Sequence, residues 1–433
     1  MAKSQPKEGK TMAYEKLFEP IQVGSVTVRN RYAYAPTNTS YIWKGVMNEQ
    51  EIAYYTARAM GGTGMVIVGA YLSTKIGQPY IQRPWMFVSD ITHVPDLATV
   101  AENIQLGGAT AVLQLLPFPG SGGRNLSDLQ PIAPSPVPYL EPPGWRSGGG
   151  KRPNLLAQRL PNSKLGTVGN RAPDTIPREA TWGEIQTIIS ENAYACKLAA
   201  WAGWDGIELH MCHTYFVDSF RNPLSNKRTD SYGGSEENRN RLLLEIAETS
   251  IRAAREENPN IVIGVRLGAE CGPGGYTFEE TKRLALQLQE MGIQYHHVTW
   301  GVLGPAPHTL PYQDGILLQY GRELKKILKI PVITSAIHDP KLAEQAVAEG
   351  QTDMVSTGHM LMADPEFCNK LKEGREDEII WCNMCGQCHR GGLVPGIRCI
   401  LNPETGREKY NPKYQLWKGF TGADFVHPAL RRK

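Results

Sequence analysis

Near the C-terminal end, Cys382, Cys385, Cys388 and Cys399 stand in the run CNMCGQCHRGGLVPGIRC. Three thiols at two-residue gaps, with a fourth eleven positions on, can converge on one small inorganic object. Thiolates are soft ligands, so the candidates are an iron–sulfur cluster or zinc. A structural zinc site usually pairs two C-x-x-C knuckles across a longer loop. A tight triplet with one outlier, followed by Asn402-Pro403, suits a 4Fe–4S cube better than zinc or a disulfide. Such a cluster moves single electrons, so the rest of the chain should hold a redox partner for it.

A second group of reactive side chains lies in HMCHTYFVDSF. His210 and His213 are three apart, and Tyr215 follows two residues on. Two histidines can hydrogen-bond a carbonyl or carboxylate oxygen, and a tyrosine can donate a proton. A metal pair is the other reading, but no carboxylate or third histidine stands beside them.

The elements that must position these groups are legible as an alternation. Short apolar runs occur at Arg31–Pro36, Gly64–Ala70, Thr110–Pro117, Gly206–Met211, Val262–Gly268, Ile293–Trp300, Pro331–Ala336 and Asp353–Gly358. They read as eight buried parallel strands. Helical patterns separate them. Glu184–Ala202 stops at Gly203, Asn238–Glu256 repeats the pattern, and Glu279–Met291 is entered through Thr277 with Glu280 three residues on. Eightfold alternation predicts an α/β fold of the TIM (β/α)8 type, with the active site at the C-terminal strand ends. A doubly wound sheet competes, but no G-x-G-x-x-G follows an early strand. His210, His213 and Tyr215 then fall at the end of the fourth strand. The expected divisions are a tail over 1–16, the barrel over 17–370, and a cluster-binding segment with a tail over 371–433. A Gly-, Pro- and Ser-rich stretch between Pro117 and Pro177 follows the third strand. Its Arg146, Lys151, Arg152 and Arg159 form either a solvated loop or a lid meeting an anionic substrate.

Composition bounds the rest. The chain has 433 residues, 41% of them hydrophobic, enough for a large core. A formal charge of +3 indicates no nucleic-acid partner. Half of the eight cysteines lie in the C-terminal motif, which suits a reducing compartment. The N-terminus lacks an apolar leader and no apolar run reaches membrane length, so a soluble cytoplasmic protein is expected. Attachment to a complex stays open, and homo- or hetero-oligomers are both compatible.

The run NPLSNKRTDSYGGSEENRNR, after the His-x-x-His strand end, resembles the Old Yellow Enzyme family of FMN-dependent oxidoreductases. The likeness extends from about Leu17 to Pro403 and includes NRYAYAP, GGTGMVIV, SPVP, PREAT, GVRLG and GHMLMADPEF. With the cysteine run, the chain is similar to the branch containing 2,4-dienoyl-CoA reductase, enoate reductases and trimethylamine dehydrogenase, which carry a 4Fe–4S cluster beside the flavin. The resemblance implies FMN at the barrel mouth, with Ala35, Pro36 and Thr37 along it. Ala70 and Gln114 would contact the ring, Gln114 at its pyrimidine edge, and Arg266 would stand near N1. His210 and His213 would hold the substrate oxygen, and Tyr215 would protonate the α-carbon after hydride reaches the β-carbon. His308, after the sixth strand, is a candidate second acid. Relatives often carry phosphate-binding arginines after the seventh and eighth strands, where this chain has Ser335-Ala336 and Gly358-His359. Backbone N–H groups of Ala336, Gly358 and His359 would then cradle the phosphate.

The leading expectation is a reductase of an activated C=C bond in an enoate, enone or enoyl-CoA, anionic or CoA-linked. An amine dehydrogenase or demethylase is second, with Trp300 as a cage residue. A non-catalytic electron relay is third. No dinucleotide fingerprint follows Cys399, so an electron-transfer protein partner is expected.

Overall fold

The computed structural model describes residues 14–42, 45, 47–81, 85–120, 129–138, 176–300, 313–385, 388 and 396–416. Eight parallel strands close into a barrel. They are β1 Tyr32–Tyr34, β2 Met65–Leu72, β3 Thr110–Leu116, β4 Gly206–Met211, β5 Val262–Gly268, β6 Tyr295–Thr299, β7 Val332–Ser335 and β8 Met354–Thr357. Seven of the eight apolar runs contain one of them, and β2 runs two residues past the end of Gly64–Ala70. The strands from β3 to β8 are buried along their whole length, as a sheet covered on one face and filled on the other requires. Closure through the pairing of β5 with β6 rules out the doubly wound sheet.

Helices cover the outside: α1 Glu49–Met60, α2 Val94–Leu106, α3 Trp182–Trp201, α4 Glu236–Glu257, α5 Phe278–Met291, α6 Leu318–Ile327, α7 Pro340–Ala348 and α8 Phe367–Lys372. Reciprocal capping boxes start α3 and α5. Thr181 Oγ1 accepts from Glu184 N–H at 3.2 Å while Glu184 Oε2 accepts from Thr181 N–H at 2.9 Å. Thr277 and Glu280 repeat this at 3.3 and 2.6 Å. Each such cap is worth about 1 kcal/mol. Gly203 beyond α3 takes the left-handed backbone (φ 82°) that ends a helix.

The barrel interior is layered. Ala33, Met65, Ile67, Val112, Val262, Tyr295, Ile333 and Met354 form one apolar cluster with Val23, Val26 and Val28 of an N-terminal hairpin. Side chains of this size contribute about 1.5–3 kcal/mol each on full burial. Gly264 has no side chain because the Tyr295 ring fills that space, where a Cβ would meet ring carbons at 2.0 to 2.5 Å. Toward the C-terminal ends the interior turns polar, and the reactive groups lie there. Among the described residues, no helix is long and apolar enough to cross a membrane.

Candidate functional site

At the end of β4 the chain doubles back. His213 and Thr214 both adopt left-handed backbone, φ 64° and 58°. This is costly for a side chain branched at Cβ and persists only where surrounding contacts demand it. Asp218 supplies one such contact, its Oδ2 accepting from Thr214 N–H at 2.7 Å and its Oδ1 from Tyr276 Oη at 2.9 Å. Burial pushes the Asp218 carboxyl up to about 6, against the pull of Arg221. The turn brings His213 Nδ1 to 3.2 Å from His210 Nε2 and His213 Nε2 to 3.2 Å from Thr299 Oγ1. The Tyr215 ring meets His210 edge-on, with centroids 5.0 Å apart. Burial, aided by the Arg266 charge, pushes His210 down to about 3 and His213 well below its ordinary value. Both imidazoles are therefore neutral near pH 7, each with one N–H and one lone pair.

Beneath them a polar network crosses the barrel. Gln114 Nε2 donates to Glu208 Oε1 at 2.6 Å. The other carboxylate oxygen receives Tyr295 Oη at 3.1 Å and pairs with His297 Nδ1 at 2.9 Å. His297 Nε2 reaches Ser356 Oγ at 2.8 Å and Ser335 Oγ at 2.9 Å. Burial alone would raise the Glu208 carboxyl, but His297, Arg266 and the Gln114 amide hold it below its ordinary value. One N–H of the Gln114 amide goes to Glu208, which leaves its second N–H and its carbonyl oxygen for another partner. Arg266 pairs across the sheet with His210 on one side and His297 on the other. Its Nε is buried without a hydrogen-bond partner. A buried unpaired donor beside this polar network is consistent with a bound group that it serves.

Ala35, Pro36 and Thr37 follow β1, where Thr37 Oγ1 donates to Ala35 O at 3.0 Å. Ala70 sits where the pairing of β2 with β3 slips between Val68 and Tyr71. The backbone there runs so close to Gln114 that a Cβ on Gly69 (φ 126°) would lie 2.7 Å from Gln114 O. Ala336 is left-handed (φ 63°), and its N–H donates to Ser356 O at 3.0 Å. That amide bonds to the barrel backbone. Gly358 and His359 open the short helix His359–Ala363, and a Cβ on Gly358 would touch Thr37 and Ala35 at 3.7 and 3.8 Å.

His359 also lines a pocket with Met362, Asn383, Ile400, Leu401 and all four motif cysteines. Cys382, Cys385, Cys388 and Cys399 are thus brought together against the C-terminal end of β8. Burial, with the neighbouring thiols adding to it, pushes the Cys388 thiol up to about 12. The segment carrying Cys399 is tied to the barrel by Asn402 Nδ2 to Ala363 O (2.7 Å), Thr405 Oγ1 to Met362 O (2.9 Å) and Tyr41 Oη to Ile397 O (2.6 Å).

His308, Arg146, Lys151, Arg152 and Arg159 lie outside the described residues. Trp300 packs on Tyr320, with ring centroids 5.9 Å apart. Sequence reasoning missed Cys212, Glu208, His297 and Thr299. Glu208 and His297 were open to notice as ionisable residues inside strands predicted to be buried.

Residues 16–378 match the NADH:flavin oxidoreductase / NADH oxidase family. The chain belongs to that family. It is similar to an NADH oxidase of Thermoanaerobacter brockii, 34% identical over 91% of this chain and 57% of the relative. It is also similar to a cinnamate reductase of Clostridium sporogenes, 28% identical over 92% and 59%. Among solved structures, 2-naphthoyl-CoA reductase with 2-naphthoyl-CoA superposes with a TM-score of 0.77 at 26% identity, covering 92% of this chain and 58% of that one. The chain therefore spans under three fifths of the length of these relatives.

FMN is the cofactor of this family of Old Yellow Enzyme-like oxidoreductases. The residues present fit it. The unpaired Arg266 Nε and the Gln114 amide offer donors and an acceptor such as the edge of a flavin ring requires. The cysteine pocket offers the thiolate set that an iron–sulfur cube takes.

Proposed function

We propose that this chain is an FMN- and 4Fe–4S-dependent reductase of an activated C=C bond in an enoate, enone or enoyl-CoA. The observation that carries this reading is the pair of neutral imidazoles, His210 and His213, held 3.2 Å apart with the Tyr215 ring beside them. Neutral N–H groups polarise a substrate carbonyl, carboxylate or thioester oxygen without needing a counter-charge. Tyr215 donates the proton that the α-carbon takes up. Gln114 and Arg266 orient the ring of FMN, which supplies the hydride when bound. Ala35, Pro36, Thr37 and Ala70 line its path, and Gly358 and His359 stand toward its phosphate. Cys382, Cys385, Cys388 and Cys399 hold the cluster, which exchanges electrons with a separate protein. The barrel runs over 17–370 and the cluster-binding segment begins near 371. The reductase names of two relatives support the same reading.

Amine oxidation is the second reading. The packing of Trp300 on Tyr320 argues against an aromatic cage at that position, and a proton donor is what reduction needs. The test is anaerobic purification with a visible spectrum, then reoxidation of the reduced flavin by enoates and enoyl-CoAs set against bleaching of the oxidised flavin by methylamines. Reoxidation by an enoate or enoyl-CoA is expected. Bleaching by an amine with no response to any C=C substrate would overturn the reading.

A further inference from the structure

Between His210 and His213 lies Cys212, a buried thiol that neither hydride nor proton transfer uses. The left-handed backbone of His213 and Thr214 folds the second imidazole back over it. Cys212 Sγ is 3.5 Å from His213 Nδ1 and 3.9 Å from His210 Nε2, and the two nitrogens are 3.2 Å apart. These three atoms outline one face of a tetrahedron. With metal–nitrogen bonds of about 2.05 Å and a metal–sulfur bond of about 2.3 Å, the edges around a tetrahedral zinc are about 3.3 Å for N···N and about 3.6 Å for N···S. The side chains match those edges to within a few tenths of an ångström.

We propose that His210, Cys212 and His213 form a zinc-binding site at the barrel mouth, whose occupation withdraws both histidines from substrate. Thr299 acts as the outer partner that such a site needs. A histidine ligand ordinarily donates its other ring N–H to a nearby oxygen, which fixes the tautomer and turns the lone pair toward the metal. His213 Nε2 has Thr299 Oγ1 at 3.2 Å for this purpose, leaving Nδ1 to face His210 and Cys212. The ion takes a lone pair from each neutral imidazole, with His210 moving its N–H from Nε2 to Nδ1, and displaces one proton from the Cys212 thiol. That proton goes to solvent and no electrons move. One thiolate with two imidazoles selects a borderline-soft divalent ion over magnesium or calcium. Three protein ligands leave the fourth position for water or for an oxygen of the substrate class.

This site stands on the geometry alone, whatever the substrate proves to be. The test uses the anaerobic holoenzyme dialysed against micromolar Zn2+, with metal content and zinc X-ray absorption as readouts. One zinc beyond that held by Cys212→Ser is expected, with a shell of one sulfur near 2.3 Å and two imidazole nitrogens near about 2.05 Å. The same zinc should slow turnover of wild type at least tenfold and leave Cys212→Ser unaffected. Equal zinc in both proteins, or a shell of sulfur alone that places the ion on the tail thiols, would overturn the site. The absorption spectrum of wild type decides the question even if the variant folds poorly.

Discussion

Arg58 in α1 and Glu408 beyond the cysteine motif form an ion pair 3.1 Å long with both side chains buried. The guanidinium also lies 3.3 Å from the Tyr54 ring centroid. Arg58 Nε and Nη2 and Glu408 Oε2 have no further partners, so each charge depends on the other. The pair fastens the end of the Cys399 segment to the barrel.

Removing one member leaves an uncompensated buried charge, which typically costs about 3–5 kcal/mol. Glu408→Gln should lower the denaturant midpoint accordingly and reduce iron retained through gel filtration. The double change Arg58→Met with Glu408→Leu should recover most of the stability. Equal midpoints for wild type and the single variant would dismiss the latch.

Glu208 dictates which way the Gln114 amide faces, through the 2.6 Å bond from Nε2. Glu208→Leu removes that acceptor and strands His297 and Tyr295. FMN affinity, read by flavin fluorescence on titrating the apoprotein, should fall about tenfold or more, since about 1.4 kcal/mol is a factor of ten. An unchanged dissociation constant would show that the network does not orient Gln114.

Tyr215→Phe removes only the hydroxyl of a ring that packs against His210. Turnover on an enoate-class substrate should drop by about 10²–10⁴, the usual contribution of a positioned acid, with flavin content unchanged. An unchanged rate would remove Tyr215 from the mechanism.

Glu51 is fully buried, and burial pushes its carboxyl up to about 7 despite hydrogen bonds from Thr39 and Tyr71. The unfolded chain titrates near the ordinary value of 4.5. A raised carboxyl stabilises the fold fully below 4.5, and that contribution is lost as pH rises through 7. Glu51→Gln does not titrate. Melting temperature should therefore fall more steeply between about pH 5 and pH 8 in wild type than in the variant. Parallel pH profiles would show that Glu51 stays ionised in the fold.

The barrel was legible because its signals are local. A parallel strand buried on both faces must be a short apolar run, and α3 and α5 announce their starts through Thr181–Glu184 and Thr277–Glu280 within one turn. Four cysteines in one short segment likewise stand out as a candidate soft-ligand set before any fold is known.

Chain order alone could not pair Arg58 with Glu408, which lie 350 positions apart. It could not show that Glu208, His297, Ser335 and Ser356 share one interior layer, because strand closure determines which alternate side chains point inward. Nor could it show that Cys212 meets both histidines, which depends on left-handed backbone at His213 and Thr214 held by Asp218. Residue types and local spacing are written along the chain and determined the strands, the caps and the thiol set. Distances between remote side chains exist only after the barrel closes, so the tertiary structure alone decided which of these groups work together.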